Sequence, residues 1–399
     1  MTHKRHVLIA GGGIGGLTTA IILAQNGVKT DLFERAPEFS DVGAGLQLSP
    51  NAMHIHAAIG TIEPIKAIGF IPEFAALRDY KSSKIHLKTP LKNLCRGRYG
   101  QDYLHIHRAD LQRILVQTAR KAGVTFHLGV AVEGFDQTDT QVTLKTDKGV
   151  FTGNALIGAD GLRSAIRSQI HSQHTPRFTG QIAWRGTVAA KDLPKDCLPP
   201  AANVWMGPHR HFVAYYLRGG TLINFIAVLE RDQWTEESWS LKGNPSDLRA
   251  AFDGWDPHVT QIINTAPETY LWGLFDHAPL EHWSQGRVTL LGDAAHPMLP
   301  FMAQGAAMAT EDAWVVAQKL LTTPDVSAAF TAYEAARRPR ASSVQARSRA
   351  NATFFHHPRG LGRTLRNTKL AVASAIPQLQ HMQLDPIYGV NVVKDFPLS

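Results

Sequence analysis

The sequence predicts an α/β chain in which a Rossmann-like domain is interleaved with a β-rich domain and followed by a helical segment. Three observations carry that reading. The first forty residues hold a strand, a glycine turn, a helix and a second strand; two later apolar strands each run into an aspartate beside glycine or alanine; and between Arg177 and Trp283 the pattern changes to short alternating stretches.

The first apolar run is His6–Ala10, and Ile14–Gln25 is apolar and small enough to pack as a helix, with Asn26-Gly27 stopping it before a second strand at Thr30–Glu34. The turn between them satisfies GxGxxG at Gly11, Gly13 and Gly16, with Ile14 and Gly15 inside it and Glu34 eighteen residues after the last glycine. Glycines let a turn approach a pyrophosphate at a helix N-terminus, and an acid at the end of the second strand accepts hydrogen bonds from a ribose. The unit therefore reads as a dinucleotide site, for FAD or NAD alike.

Asn154–Ile157 leads into Gly158-Ala159-Asp160-Gly161 with Ser164 and Arg167 after it, and Arg287–Leu291 leads into Gly292-Asp293-Ala294-Ala295-His296-Pro297. Each places an aspartate at the carboxyl edge where open α/β sheets bind ligands, although each aspartate alone also suits a helix cap. Between these segments, Val213–Leu217 and Thr221–Val228 alternate, bounded by Gly207-Pro208 and Gly219-Gly220, so a sheet is expected there, with help from residues near Tyr80 to Tyr103.

The chain has 399 residues and 44% hydrophobic content, enough for two or three folding units without covalent staples. Cys95 and Cys197 form no CxxC and no Cys/His cluster, so neither a zinc nor an iron–sulfur site can be built from them, and they read as reduced thiols of the cytoplasm. No stretch of about 18 residues is free of polar interruption, so no membrane span or membrane partner is expected. Met1–Arg5 followed by an apolar run mimics an export signal, but Gly11–Gly13 interrupts the run at once, as a strand and turn would. Net charge is +8, with nine basic residues and no acid from Arg337 to Lys369; this reads as a solvated helix face or a surface that steers anions, in preference to a nucleic-acid site.

Four motifs together resemble the single-component FAD-dependent aromatic hydroxylases, the class A flavoprotein monooxygenases: the glycine turn with Glu34-Arg35, His107-Arg108-Ala109-Asp110-Leu111, the Asp160 segment through Arg167, and the Asp293 segment. Gly43–Ala52, which contains Gln47, and Asp385-Pro386-Ile387-Tyr388-Gly389 are similar to the salicylate hydroxylase, 3-hydroxybenzoate 6-hydroxylase and 6-hydroxynicotinate 3-monooxygenase subgroup, so the resemblance spans nearly the whole chain. It implies bound FAD, with NADH or NADPH as a transient co-substrate, which agrees with the presence of only one GxGxxG. It also implies that Arg108 lies near the flavin phosphates, that Asp160 belongs to a motif shared between FAD and NAD(P)H binding, that Asp293 holds the ribityl chain, and that Pro297 to Gly305 runs beside the isoalloxazine. Gly305 and Ala306 then begin a helix, about Ala306–Leu321, whose N-terminus stabilises charge on the reduced flavin.

The implied fold is that of p-hydroxybenzoate hydroxylase: an FAD-binding domain over 1–75, 105–176 and 284–340, a substrate-domain insertion over 76–104, a β-rich substrate domain over 177–283, and a C-terminal helical tail over 341–399. The implied reaction hydroxylates a small aromatic substrate, a hydroxylated carboxylic acid, with O2 through a C4a-hydroperoxyflavin, in a monomer or homodimer that has no nucleic-acid partner. A reductase or halogenase on the same scaffold is the alternative.

His211 and Tyr215 lie four apart on a strand and face one side, matching a His-x-x-x-Tyr that contacts the aromatic ring in the related enzymes. A histidine of near-neutral pKa suits removal of the ring hydroxyl's proton. Arg185 is positioned either for a substrate carboxylate or for an internal acid. Phe301 stands where the relatives often carry His or Gln toward the substrate, and it exchanges no proton. His296 reads as part of the turn that shapes the flavin loop; Met298, Met302 and Met308 as lining and packing; Glu311-Asp312 as acids complementing a helix dipole.

Overall fold

The computed structural model describes residues 5–39, 44–171, 176–234, 242–356 and 360–398; Met1–Lys4, Gly43 and Arg359 of the segments above lie outside them. The opening unit forms as β1 (His6–Ala10), α1 (Ile14–Gln25) and β2 (Lys29–Glu34). The apolar residues of β1 and most of α1 are buried, as suits a strand covered on both faces and a helix packed between a sheet and other helices.

Farther along, β3 (Phe74–Asp79) and β4 (Ile85–Thr89) leave for a second sheet, while α2 (Arg108–Lys121), β5 (Thr125–Leu128), β6 (Ala155–Gly158) and α3 (Ala165–Ile170) belong to the first domain. The second sheet is completed by β7 (Arg177–Ala189), β8 (Ala201–Gly207), β9 (Arg210–Leu217), β10 (Leu222–Glu230) and, after helices α4 (Pro245–Ala251) and α5 (Pro257–Thr265), by β11 (Tyr270–Asp276). The chain then returns through β12 (Ser284–Gln285) and β13 (Val288–Leu290) and ends in α6 (Gly305–Thr322), α7 (Val326–Phe355), α8 (Leu361–Ala375), α9 (Pro377–Tyr388) and a final short turn of helix.

The first sheet has the order β12-β13-β6-β1-β2-β5, parallel except for β12. The second has the order β11-β7-β10-β9-β8-β3-β4, antiparallel except where β3 pairs with β8. Its two faces differ. Trp184, Trp205, Phe212 and Phe225 pack on one face against Leu248 of α4 and Val259 and Ile262 of α5. Ala183, Met206 and Val228 lie on the other face, against Leu299, Phe301 and Phe355. That second face is turned toward the loop before α6 and toward the end of α7. α7 runs unbroken through position 340, with Pro339 inside it.

The basic run is only in part a solvated face: Arg347 and Lys369 are exposed, but Arg337, Arg340 and Arg366 turn inward. Arg337 is 1% exposed and pairs with Glu311 at 2.6 Å and Asp312 at 2.8 Å, both acids fully buried in α6. Arg340 clamps Glu311 through two 2.7 Å bonds and reaches the carbonyls of Pro386 and Ile387. Arg366 caps the end of α7, donating to the carbonyls of Phe354 and Phe355 at 3.2 Å. Glu311 and Asp312 likewise do more than complement a dipole: they lie beyond the first turn of α6 and are the anionic half of a buried ion network.

Breaking a buried pair strands its partner's charge, so Arg337→Met should cost about 3–5 kcal/mol in urea-induced unfolding; a loss below about 1 kcal/mol would contradict the network's role. Despite the opposing effect of burial, His296 and Arg337 hold Asp312 down at about 2. A carboxylate lowered by folding stabilises above its unfolded value of about 3.9 and loses that stabilisation as pH falls toward its folded value. Asp312→Asn should therefore flatten the acid limb of the stability curve between about pH 4 and pH 2.

Candidate active site

The glycine turn closes by contact. Gly11 has φ +109°, and a Cβ there would lie 2.2 Å from the Ala159 carbonyl; one on Gly16 would lie 2.1 Å from the Gly11 carbonyl. Gly13, the N-cap of α1, has no side-chain cap, and a Cβ there would meet nothing within 4 Å. The turn is thus packed from behind and open in front, where the uncapped N–H groups of α1 begin. Glu34 accepts from Gly12 N and Ala36 N at 2.9 Å, tying the second strand to the turn; Arg35 beside it is exposed.

Arg108 and Asp293 lie within reach of one another's charge. Both side chains are exposed by accessible surface. Yet the surrounding protein raises the Asp293 carboxyl by desolvation, against the opposing effects of His296, Arg108 and Arg167. An acid that is reachable but poorly hydrated is the mark of a cleft wall. Asp160 is largely a structural group: its oxygens accept from Ser164 Oγ at 2.5 Å and Ala165 N at 2.8 Å, capping α3. Arg167 runs from the same helix to the Asp293 and Ala294 carbonyls at 3.3 and 3.1 Å. Gln47, on a short strand antiparallel to Leu104–His107, accepts from the Tyr103 hydroxyl.

The loop from Pro297 to Gln304 is held by one face of α7. Gln345, Ser348 and Asn351, three residues apart, donate to the carbonyls of Pro297, Leu299 and Phe301 at 2.7, 2.5 and 3.2 Å. At the loop's far end Gln304 donates to Ser49 Oγ at 2.9 Å and accepts from Asn51 at 3.2 Å, and Asn51 also donates to Glu311 at 2.6 Å. His296 sits 2.5 Å from Asp312, which orients the turn as expected. Met308 is fully buried and lies 3.8 Å from the Arg337 guanidinium; Met302 accepts from Asn351 at 2.8 Å; Met298 faces Gly305, the first residue of α6, with Ala306 next to it. These loop-holding residues escaped the sequence reading, although the three-residue spacing of Gln345, Ser348 and Asn351 on a predicted helix was a usable signal.

Strand register brings Arg185, His211 and Tyr215, the residues expected to face a substrate, together. On the face of the second sheet toward this loop, one rung runs Ala183, Val228, His211, Met206; the next runs Arg185, Ile226, Val213, Val204; the third runs Thr187, Asn224, Tyr215. Successive rungs are about 7 Å apart, so Arg185, His211 and Tyr215 bracket a patch of Ile226 and Val213. Phe301 covers one end, its ring 5.2 Å from that of His211. Tyr215 closes the other, 4.4 Å from the His105 ring and against Gly45, where a Cβ would come 2.7 Å from its hydroxyl. Asn224 accepts from Gly45 N at 2.8 Å, and its buried Nδ2 has no partner among the described residues.

Arg185 stacks over Trp272 and Tyr270 at 5.0 and 5.7 Å. Burial and then Arg108 lower its pKa, which places the two guanidiniums in reach of one another's field. His211 departs from the expected near-neutral base: burial, and then His356, hold its imidazole well below the usual histidine range. The reason is its apolar cage of Phe301 and Phe355. Its Nδ1 lies 2.6 Å from His356 Nε2, a contact no local pattern announced.

The open front of the glycine turn, the α1 N-terminus and the neighbouring charges of Arg108 and Asp293 fit a dinucleotide. No group of three or more His, Cys, Asp or Glu among the described residues could hold a metal, and no helix among them is long and apolar enough to cross a membrane. Residues 4–348 match the family model described as FAD binding domain. The chain is 37% identical over 378 residues to 3-amino-4-hydroxybenzoate 2-monooxygenase PtnB3 of Streptomyces platensis, covering 94% of each chain. It is 34% identical to 3-hydroxybenzoate 6-hydroxylase of Polaromonas naphthalenivorans, covering 97% of this chain and 96% of that one. Klebsiella pneumoniae HpxO, solved with FAD and uric acid, superposes with a TM-score of 0.85 at 25% identity over 98% of both chains.

Gly13→Ala should leave the unfolding midpoint of the flavin-free protein within about 0.5 kcal/mol of the parent, since the new methyl meets no protein atom, while lowering flavin retention. Gly11→Ala should lower both. Equal flavin content in Gly13→Ala and parent after dialysis would argue that the pyrophosphate lies elsewhere.

Proposed function

The chain belongs to the FAD binding domain family, among its single-component aromatic hydroxylases, and on that premise we propose that it hydroxylates a small aromatic acid held between Arg185 and His211. It is an FAD-dependent monooxygenase that uses NAD(P)H and O2. Bound FAD would take the reducing equivalents of NAD(P)H and use them to activate O2. The glycine turn, Glu34, Arg108 and Asp293 are the residues proposed to hold it, with the α6 N-terminus at Gly305 and Ala306 toward its ring.

The observation that carries the substrate reading is the three-rung face. A planar ring fits over Ile226 and Val213, with its carboxylate toward the Arg185 guanidinium and its hydroxyl toward His211. Ring hydroxylation requires an electron-rich ring, so the hydroxyl proton must leave; a neutral His211 is in the protonation state that accepts it. Phe301 offers no second acceptor, which leaves His211 as the base, and Tyr215 with Asn224 as polar contacts at the opposite edge. Phe301, Val213 and Ile226 keep water from the reacting atoms.

Both cysteines are free and buried, in keeping with a cytoplasmic enzyme. Arg337, Arg340 and Arg366 spend their charge on internal partners, which argues against a nucleic-acid surface.

The test is an absorption titration of the purified protein with 3-amino-4-hydroxybenzoate, 3-hydroxybenzoate, salicylate and 6-hydroxynicotinate while NADH and NADPH oxidation is followed. One acid should perturb the flavin spectrum, accelerate oxidation and yield a product labelled from 18O2; an unlabelled product would remove the hydroxylase reading. His211→Ala should keep its flavin and lose product formation by about a hundredfold or more. Coupled turnover at the parent rate would exclude it as the base.

A further inference from the structure

We propose that His211, His356 and Glu230 form a proton relay that carries the substrate's hydroxyl proton from the closed pocket to solvent. This rests on the reading of His211 as the base. The path is continuous. His211 Nδ1 lies 2.6 Å from His356 Nε2, His356 Nδ1 lies 3.1 Å from Glu230 Oε1, and Glu230 Oε2 lies 2.6 Å from His209 Nδ1. Exposure rises along it: His211 and His356 are each 2% exposed, whereas the Glu230 and His209 side chains are 40% and 58% exposed.

Three elements converge to build it. His356 is the C-cap of α7, and its carbonyl accepts from His209 N at 3.2 Å, pinning the helix end to the β8–β9 turn. Glu230 ends β10, and its own N–H donates to the His209 carbonyl at 3.0 Å. His211 enters from β9. Among the described residues, the charged or titratable groups facing His356 are Glu230 from β10 and His209, Arg210 and His211 from the β9 hairpin; the Gln181 amide of β7 lies 3.4 Å from its Nδ1.

The Glu230 carboxylate selects the tautomers, with the Gln181 amide turned so that its otherwise unpartnered oxygen faces His356 Nδ1. A Glu230 carboxylate accepts only from an N–H, so His356 carries its proton on Nδ1 and presents the Nε2 lone pair to His211. His211 must then be protonated on Nδ1, which leaves its Nε2 lone pair free to accept. When that lone pair takes the substrate's O–H proton, the His211 Nδ1 proton passes to His356 Nε2 and the His356 Nδ1 proton passes to Glu230, which releases it to water. One O–H bond breaks, one proton leaves, the phenolate keeps the electron pair, and neither imidazole retains a charge. That last point is the physical reason for a second histidine. A lone imidazolium between Phe301 and Phe355 would be opposed by burial, and a pocket that excludes water gives the proton no other exit.

The experiment compares the oxidised holoenzyme with His211→Asn, His356→Gln and Glu230→Gln. The probe is whichever of the four acids above perturbs the flavin spectrum. Ligand is mixed in the absence of NAD(P)H and weakly buffered with a pH indicator, and both proton release and the phenolate absorbance are followed by stopped flow. Ligand affinity in His356→Gln should stay within about threefold of the parent while proton release slows at least about tenfold and is partly restored by added imidazole. Glu230→Gln, at the surface and expected to fold as the parent, should slow release and displace its pH profile. Parent rates in both variants would overturn the relay. A parent rate in His211→Asn would instead overturn the base assignment beneath it, and failure of every acid to perturb the flavin would overturn the substrate reading.

Discussion

The fold depends most on a cluster of charges whose acids and central arginine are buried from water. Glu311 and Asp312 on α6 face Arg337 and Arg340 on α7, and His296, Asn51 and the carbonyls of Pro386 and Ile387 complete the set. Desolvating so many charges is costly unless every one is paired and hydrogen-bonded, and here each acid meets an arginine and further donors. The return for that cost is geometric. Four segments distant in sequence are fixed at one point: the turn after β13, the residues around Asn51, the long helix α7 and the C-terminal tail.

That point lies directly beneath the loop that separates the two domains. From it the constraint propagates in two directions, through Gln304 to Ser49 and along α7 through Gln345, Ser348 and Asn351 to alternate carbonyls of the loop. With Pro297, Leu299 and Phe301 carbonyls turned to α7, the loop has one side engaged by the helix and the other presented to the cleft. The same helix ends at His356, so the element that sets the loop also delivers the second imidazole behind His211. The loop and the proposed proton relay are thereby tied to one helix.

Much of this was legible from local pattern. The βαβ unit formed at the positions its apolar periodicity gives, with α1 beginning and ending at the predicted residues, because glycine spacing and apolar runs act over a few residues. His211 and Tyr215 share a face because side chains alternate along any strand. The misreadings are equally instructive. Local pattern reads Glu311 and Asp312 as complements to a helix dipole and Arg337 as part of a solvated basic face, because nothing within a window of ten residues reveals a countercharge twenty-five positions away. His211 was expected near neutrality because its cage, Phe301 and Phe355, and its partner His356 come from residues 90 to 145 positions downstream.

The sequence by itself determined the dinucleotide-binding unit, the class of chemistry and the shared face of His211 and Tyr215, since each is written in backbone requirements and side-chain types at short spacing. Only the tertiary structure decided which charges are buried, which carbonyls of the loop bond to α7 and what stands behind His211. Those depend on the surroundings that distant segments create on packing, and electrostatic energies follow the local dielectric and the nearest partner rather than the residue type.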